Sequence, residues 1–486
     1  MAHILIANID NENLMADERA RTAEYCRALA NVAARIVWFA EPGDIVVLPR
    51  ALAREFEHYV SSVMGYDSEA VTYVIPDWNG APLHTLGTRE LLHLGVREKL
   101  AQLMRDRGDW SIFPYCYERS AELLAEALSL DTKREVRPFM RQGGAELLND
   151  KRIFRSLAAG RGVPLARGVV CIAERDLLDA IGSLIGETGA VIVKQDRHGG
   201  GLGNLIVSRT PTINGLGATD VIVTEEKAPI GAAAEVWRRL AYHGQAPLIV
   251  EVYYPARSVV TAEFRIDARE NAVAFLNCGE VRQAPVLNGL VMPWSLTPHL
   301  AGAFIANATE LARLACDLGY DGLINIDGIV TADGSVICNE FNGRIGGCSH
   351  IHHILRSLAG PTYGDSHVVA SHSRNVALRF RRVLDILRDA QLNFDTATGR
   401  GVVLTAEDAA GSGYLEYLSI GRSRAEAMQI EAEFERMLDE AAPRERPRGI
   451  EHLERILSHL APFGSEARRD SAEEESAPPK GAMRGS

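Results

Sequence analysis

Asp327, Glu340 and Asn342 are the residues of this 486-residue chain whose types and spacing point most directly to chemistry. They lie in the stretch GYDGLINIDGIVTADGSVICNEFNGRIGG, residues 319–347, which reads as two apolar strands joined by the turn Asp333-Gly334. Two carboxylates and an amide make an all-oxygen donor set of the kind that a hard divalent cation such as Mg²⁺ takes, leaving the rest of its shell to waters and phosphate oxygens. Residues two apart in a strand share a face, so Glu340, Asn342 and Arg344 can point into one cleft while Phe341 points away. Gly346 and Gly347 then let the backbone come close to whatever fills that cleft. A surface hairpin with solvated polar groups would use the same residues, so the rest of the chain has to decide.

Basic groups that suit a polyphosphate occur earlier. In NDKRIFRSLAAGRG, Asn149 or Asp150 is an N-cap, Ile153, Phe154, Leu157 and Ala158 form one apolar stripe, and Gly160 and Gly162 stop the helix. Lys151 therefore sits in the first turn, at the positive end of the helix dipole, where the combined charge attracts a phosphate. Lys194 closes the strand AVIVK and is followed by QDRHGGGLGN. The backbone amides around His198, Gly199, Gly200, Gly201 and Gly203 can fold over a triphosphate while Lys194 neutralises it. No Lys-Ser/Thr follows these glycines and they lie in a hairpin, so this is neither a Walker loop nor a dinucleotide fingerprint. PLIVEVYY places Glu251, Val252 and Tyr253 at the end of a strand that can offer main-chain groups to an adenine edge. In SVVTAEFRID the polar face carries Thr261, Glu263, Arg265 and Asp267, which face either a site or solvent. Arg282, in GEVRQAP, is a candidate anchor for a substrate carboxylate or an ordinary surface arginine. Cys348, His350, His352 and His353 do not have the spacing of a zinc pair. The histidines instead line a pocket or surround a helix start.

Composition removes other classes of function. The formal charge is −12 and no Lys/Arg cluster is present, which argues against nucleic acid as a partner. Seven scattered cysteines without a CxxC pair read as reduced thiols and predict a cytoplasmic protein. There is no signal-peptide pattern and no run of 18 apolar residues, so no membrane is expected.

The elements that must hold the chemistry group into three units and a tail. Residues 1–130 alternate strands (HILIANI, RIVWFA, IVVLP, VTYVIP, WSIFPYC) with helices near 17–34, 51–64 and 88–107, which predicts an open parallel α/β domain. Residues 131–374 form a core of strands and helices that carries the candidate site. Residues 375–462 read as a small α+β domain with the strands NVALRF, VVLTAED and YLEYLSIG and a long amphipathic helix. That unit could cover the acceptor side of the cleft or make a homodimer contact. Residues 463–486 are polar, charged and rich in Pro and Gly, which predicts disorder.

Taken in order, these pieces resemble the ATP-grasp ligase superfamily over roughly residues 145–360. The order is the specific part: Asp-Lys at a helix start, strand-Lys before HGGGLGN, strand-Glu at a hinge, then Asp327 and the string Glu340-Phe-Asn342-Gly-Arg344. A leading α/β domain, HIHHIL after the metal strand and an added C-terminal domain are similar to the pheganomycin-type peptide ligases. The resemblance implies a pre-ATP-grasp domain, a two-lobed grasp core, and ATP and Mg²⁺ as cofactors. It also implies small-molecule or peptide carboxylate and amine substrates, joined as an amide through an acyl phosphate with release of ADP and phosphate. In such enzymes Lys151 and Lys194 would contact phosphates, residues 251–253 would hold adenine, Asp327, Glu340 and Asn342 would bind Mg²⁺, and Arg344 would steady the phosphate or acyl phosphate. No nucleophilic side chain is needed, in agreement with the lack of a Ser-His-Asp or Cys-His set. Two alternatives stand beside this: another ligase outcome, a thioester or a carboxylation product, and an ATP-binding regulatory protein without turnover.

Overall fold

The computed structural model describes residues 2–9, 22–105, 108–130, 138–225, 229–241, 244 and 246–442. Four short apolar runs form the first sheet: β1 (Ala2–Ile6), β2 (Ile45–Val47), β3 (Thr72–Val74) and β4 (Trp110–Pro114). They are all parallel and ordered β3-β2-β1-β4. Continuous apolar runs such as Ile4–Ile6 suit strands covered on both faces, as parallel strands between helices are. RIVWFA is not the strand that its composition predicts. It continues the helix Ala23–Ala33 as a 3₁₀ segment, Ala34–Phe39, with Ile36, Val37 and Trp38 fully buried. A short apolar run does not distinguish a core strand from a buried helical turn. The single helix expected over 88–107 is two, Thr88–His93 and Val96–Leu103, because Gly95 takes φ +74° between them.

The second sheet contains β5 (Gly168–Cys171), β6 (Ala190–Gln195), β7 (Asn204–Ser208), β8 (Asp220–Val223) and β9 (Leu248–Val252), in the order β5-β9-β6-β7-β8. Helices Glu174–Leu184 and Pro229–Leu240 cover one face. β6 and β7 are an antiparallel hairpin with the glycine loop at its tip.

The third sheet has eight strands: β10 (Ala256–Asp267), β11 (Ala272–Gln283), β12 (Leu287–Met292), β13 (Gly322–Thr331), β14 (Val336–Asn342), β15 (Val368–Asn375), β16 (Gly401–Asp408) and β17 (Tyr414–Gly421). Their order is β14-β13-β10-β11-β12-β15-β17-β16. Val260, Ala262, Phe264 and Ile266 of β10 pack with Phe304, Ala308 and Leu311 of the helix Pro298–Asp317. On the opposite face Thr261 lines the cleft, while Glu263 and Arg265 line a separate pocket. The C-terminal strands extend this sheet, since β15 pairs with both β12 and β17. NVALRF is not a strand either: β15 stops at Asn375 and Phe380 begins the amphipathic helix Phe380–Asp389. The N-terminal sheet and β16–β17 share one core, and the Trp38 indole donates to the Thr405 carbonyl at 2.8 Å. The tail expected to be disordered, 463–486, lies outside the described residues.

Candidate active site

The two carboxylates are brought together by strand register. Asp327 on β13 pairs with Glu340 on β14, Asn325 pairs with Asn342, and the Asn342 amide donates to Asp327 Oδ2 at 2.9 Å. Phe341 turns away, as alternation predicts, and packs edge-on against Phe154. Burial, and then the neighbouring Glu340 charge, push the Asp327 carboxyl up to about 7. Burial also works to raise Glu340, but Lys151, Lys194 and Arg344 outweigh it and hold that carboxyl below its ordinary value. Two acids and an amide forced side by side, with cations already gathered around one of them, have the donor chemistry and charge of a Mg²⁺ site. The residues present therefore fit the ion.

The basic groups reach the same cavity from other elements. Asp150 caps the helix Lys151–Gly160 by accepting from the Ile153 amide at 2.9 Å, which fixes Lys151 at its first position. Lys151 Nζ lies 3.3 Å from Glu340 Oε2 and donates to the His198 carbonyl at 2.5 Å, bridging β14 and the glycine loop. Lys194 points into the cleft from β6. Gly200 and Gly201 take φ of +66° and +82°, a conformation that side chains disfavour, and Gly200 accepts from the Leu287 amide at 3.4 Å. The loop thus rests on the turn between β11 and β12. Burial, opposed by the Gly199 carbonyl and reinforced by Lys151, lowers His198 to about 4, so its ring is neutral. The shared cleft, of about 460 Å³, is lined by Lys151, Lys194, His198, Gly199–Gly201, Asp327, Glu340, Asn342 and Arg344.

Several expected roles change. Glu251 lines the cleft, yet its carboxylate is held between Lys194 Nζ at 2.6 Å and Arg155 Nη1 at 2.5 Å, which makes it the group that orients Lys194. The amides of Val252 and Tyr253 donate to the Arg167 and Ala190 carbonyls, so neither N–H is left for adenine. Tyr253 lines the cleft with its ring and anchors it through its hydroxyl on the Asn214 carbonyl at 2.8 Å. Gly203 is not in the lining, because it packs against Gln195 and His198. Glu263 is fully buried outside the nucleotide cleft, bonded to Ser349 and, at 2.5 Å, to Asn277. Arg282 also stays out of the cleft. Both of its terminal nitrogens donate to Glu431 at 2.7 Å, a bidentate pair with a buried carboxylate. Cys348 and the histidines do not converge: Cys348 donates to Asn325, His350 pairs with Glu416, and His352 pairs with Tyr363.

Other residues were not legible as site residues. Asn149, read only as a possible cap, accepts from Arg344 through its side-chain oxygen. The Ser349 hydroxyl accepts from the Gly346 amide at 2.7 Å and donates to Glu263, and the Asn325 amide donates to the Arg344 carbonyl at 3.3 Å. These bonds hold the loop that carries Arg344. From the N-terminal domain, Arg35 and Tyr115 line the cleft, with Arg35 held on Glu416 of β17. The Asp-Lys order signalled Lys151. Nothing in the local sequence ties residue 35 to residue 416.

Comparison with known proteins agrees with this layout. A sequence model described as "Pre ATP-grasp domain" matches residues 33–130, and one described as "PGM1 C-terminal domain" matches residues 382–434. A search of curated protein sequences gave no match. Among solved structures, the chain is similar to an ADP complex of N5-carboxyaminoimidazole ribonucleotide synthetase, with 15% identity and a TM-score of 0.53 over 90% of this chain and 97% of the other. It is also similar to a Campylobacter jejuni biotin carboxylase, with 14% identity and a TM-score of 0.51 over 88% and 89% of the two chains. The N5-carboxyaminoimidazole ribonucleotide synthetase of Thermus thermophilus aligns with 15% identity and a TM-score of 0.50 over 92% and 99%. The architecture is therefore the ATP-grasp fold: a pre-ATP-grasp α/β domain, a multi-sheet core and a C-terminal region. Among the described residues, no helix is long and apolar enough to cross a membrane.

Proposed function

We propose that the protein is an ATP-dependent carboxylate–amine ligase that makes an amide bond through an acyl phosphate. The observation that carries this is the convergence on one cleft of Lys151, Lys194 and Arg344 with Asp327, Glu340 and Asn342, delivered by separate sheets and a helix start. A carboxylate oxygen attacks the γ-phosphorus of ATP, the bond to the bridging oxygen breaks, and ADP leaves. The amine then attacks the acyl carbon, phosphate departs with the C–O bonding pair, and the nitrogen gives up a proton. Such transfer depends mainly on positioning and charge neutralisation, and Lys151, Lys194 and Arg344 provide both. Mg²⁺ held by Asp327, Glu340 and Asn342 would supply further neutralisation of phosphate charge. The glycine loop, resting on the β11–β12 turn, would shield the acyl phosphate from water.

The finer reading is that a modified amino acid is joined to a peptide in natural-product biosynthesis, as in pheganomycin-type ligases. Its support is the leading pre-ATP-grasp domain together with the distinct C-terminal match. Carboxylation is the second reading, because two of the similar structures are a biotin carboxylase and a carboxyaminoimidazole synthetase. A phosphate-release screen that pairs amino acids, peptide acids or bicarbonate with amines and peptides separates them, with mass spectrometry of the products. Phosphate formation that needs both an acid and an amine, with a product equal to their sum less water, is the expected result. Turnover independent of both reactants would refute the ligase reading, and turnover with bicarbonate alone as the acid would favour carboxylation.

A further inference from the structure

Beyond Arg344 the cleft continues into a chamber walled by the N-terminal domain. Tyr25, Leu29 and Val32, at i, i+4 and i+7 on the helix Ala23–Ala33, present one helical face to it. Val281 and Leu287, on β11 and β12, also line it. Leu29, Val32 and Val281 are only half-buried, and Leu287 is 45% exposed. Apolar side chains from separate elements, left incompletely covered around one cavity, are shaped to receive an apolar body.

The polar group of this chamber is Arg35. Its Nε and one terminal nitrogen are taken by Glu416, which also accepts from Thr405 at 2.7 Å and is bonded to His350 at 3.1 Å. Burial alone would lower the guanidinium pKa, but Glu416 outweighs it, so Arg35 stays charged and the pair is neutral in sum. Tyr115 is close enough to Arg35 and Arg344 to feel both charges. A second charge on the ligand, of either sign, would lose its hydration here and meet only a pair that is neutral in sum. The part of the guanidinium that Glu416 leaves is bonded to the Tyr115 side chain, so the Arg35–Tyr115 pair offers polar N–H and O–H groups without a free charge, which suits a neutral carbonyl oxygen.

We propose that this chamber is the subsite for the body of the carboxylic acid, and that it selects monocarboxylic acids with an aliphatic or aromatic side chain and a neutral carbonyl over acids that carry a second charge. This rests on the ligase reading, in which the acid is the reactant held through both steps while the amine arrives last. The chamber fits the longer-held reactant because Ile345–Cys348, in its lining, continue directly from Arg344.

Titration calorimetry of the full chain with AMP-PNP and Mg²⁺ tests this, using N-acetyl-leucine, N-acetyl-phenylalanine, N-acetyl-aspartate and N-acetyl-lysine as probes. The apolar acids are expected to bind about tenfold or more tightly than the charged ones, the scale that apolar burial of one side chain sets. Leu29→Asp should abolish that preference. Leu29→Ala, the milder change in case the first does not fold, should weaken N-acetyl-leucine several-fold while AMP-PNP affinity holds. Equal binding of the four acids, binding of none, or a preference untouched in Leu29→Ala would overturn the proposal. AMP-PNP binding that depends on Lys194, without acid selectivity, sinks the chamber assignment alone. Absence of nucleotide binding sinks the ligase reading itself.

Discussion

Lys194 and Glu251 make opposite contributions that two substitutions separate. The Lys194 ammonium sits 2.6 Å from Glu251 with its side chain 10% exposed, and Glu251 also holds Arg155 at 2.5 Å. In Lys194→Met the carboxylate keeps Arg155, so no buried charge is orphaned and the fold should melt close to the wild type. What is lost is one charge-assisted contact to phosphate, worth ~1.5–3 kcal/mol, or roughly 10- to 150-fold in nucleotide Kd. In Glu251→Ala, Lys194 and Arg155 are left as neighbouring buried cations without their carboxylate, a loss of ~3–5 kcal/mol in stability. Calorimetry with ADP and Mg²⁺ reads the first effect and thermal melting reads the second. Nucleotide affinity in Lys194→Met within about threefold of wild type, or melting of that variant as early as Glu251→Ala, would refute the assignment.

Burial holds the Glu263 carboxyl at about 7 instead of 4.5, against the hydrogen bonds from Ser349 and Asn277. The folded state binds that proton more tightly, so stability should fall by ~3 kcal/mol as pH rises from about 4.5 to about 7. Melting midpoints across that range should flatten in Glu263→Gln, and parallel curves for the two proteins would count against the shift. Arg282→Ala should leave the acid and nucleotide constants unchanged and lower the melting temperature, because Glu431 loses both donors, by ~3–5 kcal/mol of stability. A raised acid KM without destabilisation would restore Arg282 as a substrate anchor. A Cβ on Gly346 would fall inside the Asn325 amide, which is itself bonded to the Arg344 carbonyl. Gly346→Ala should therefore lower kcat about tenfold or more with little change in nucleotide affinity, and an unchanged kcat would show that the loop tolerates displacement.

The sequence determined whatever depends on neighbours along the chain. The Asp150 cap that fixes Lys151, the alternation that turns Glu340 and Asn342 to one side and Phe341 to the other, and the flexible glycines after Lys194 were all legible, because caps, pleats and turns are set within a few residues. The parallel N-terminal sheet was legible for the same reason. Tertiary structure alone decided which charges meet. Adjacency of β6 and β9 sets the Glu251 carboxylate against Lys194, and Arg282 is drawn to Glu431, 149 residues away. Completion of the β12 edge by β15 puts the C-terminal strands on the sheet that carries Asp327 and Glu340 and brings Glu416 to Arg35. Periodicity also left RIVWFA ambiguous, since only the surrounding core chooses between a strand and a helical turn for six apolar-rich residues. Hydrogen bonding along a segment is local and leaves a pattern, whereas the pairing of buried charges is chosen by packing between segments that carry no mark of one another.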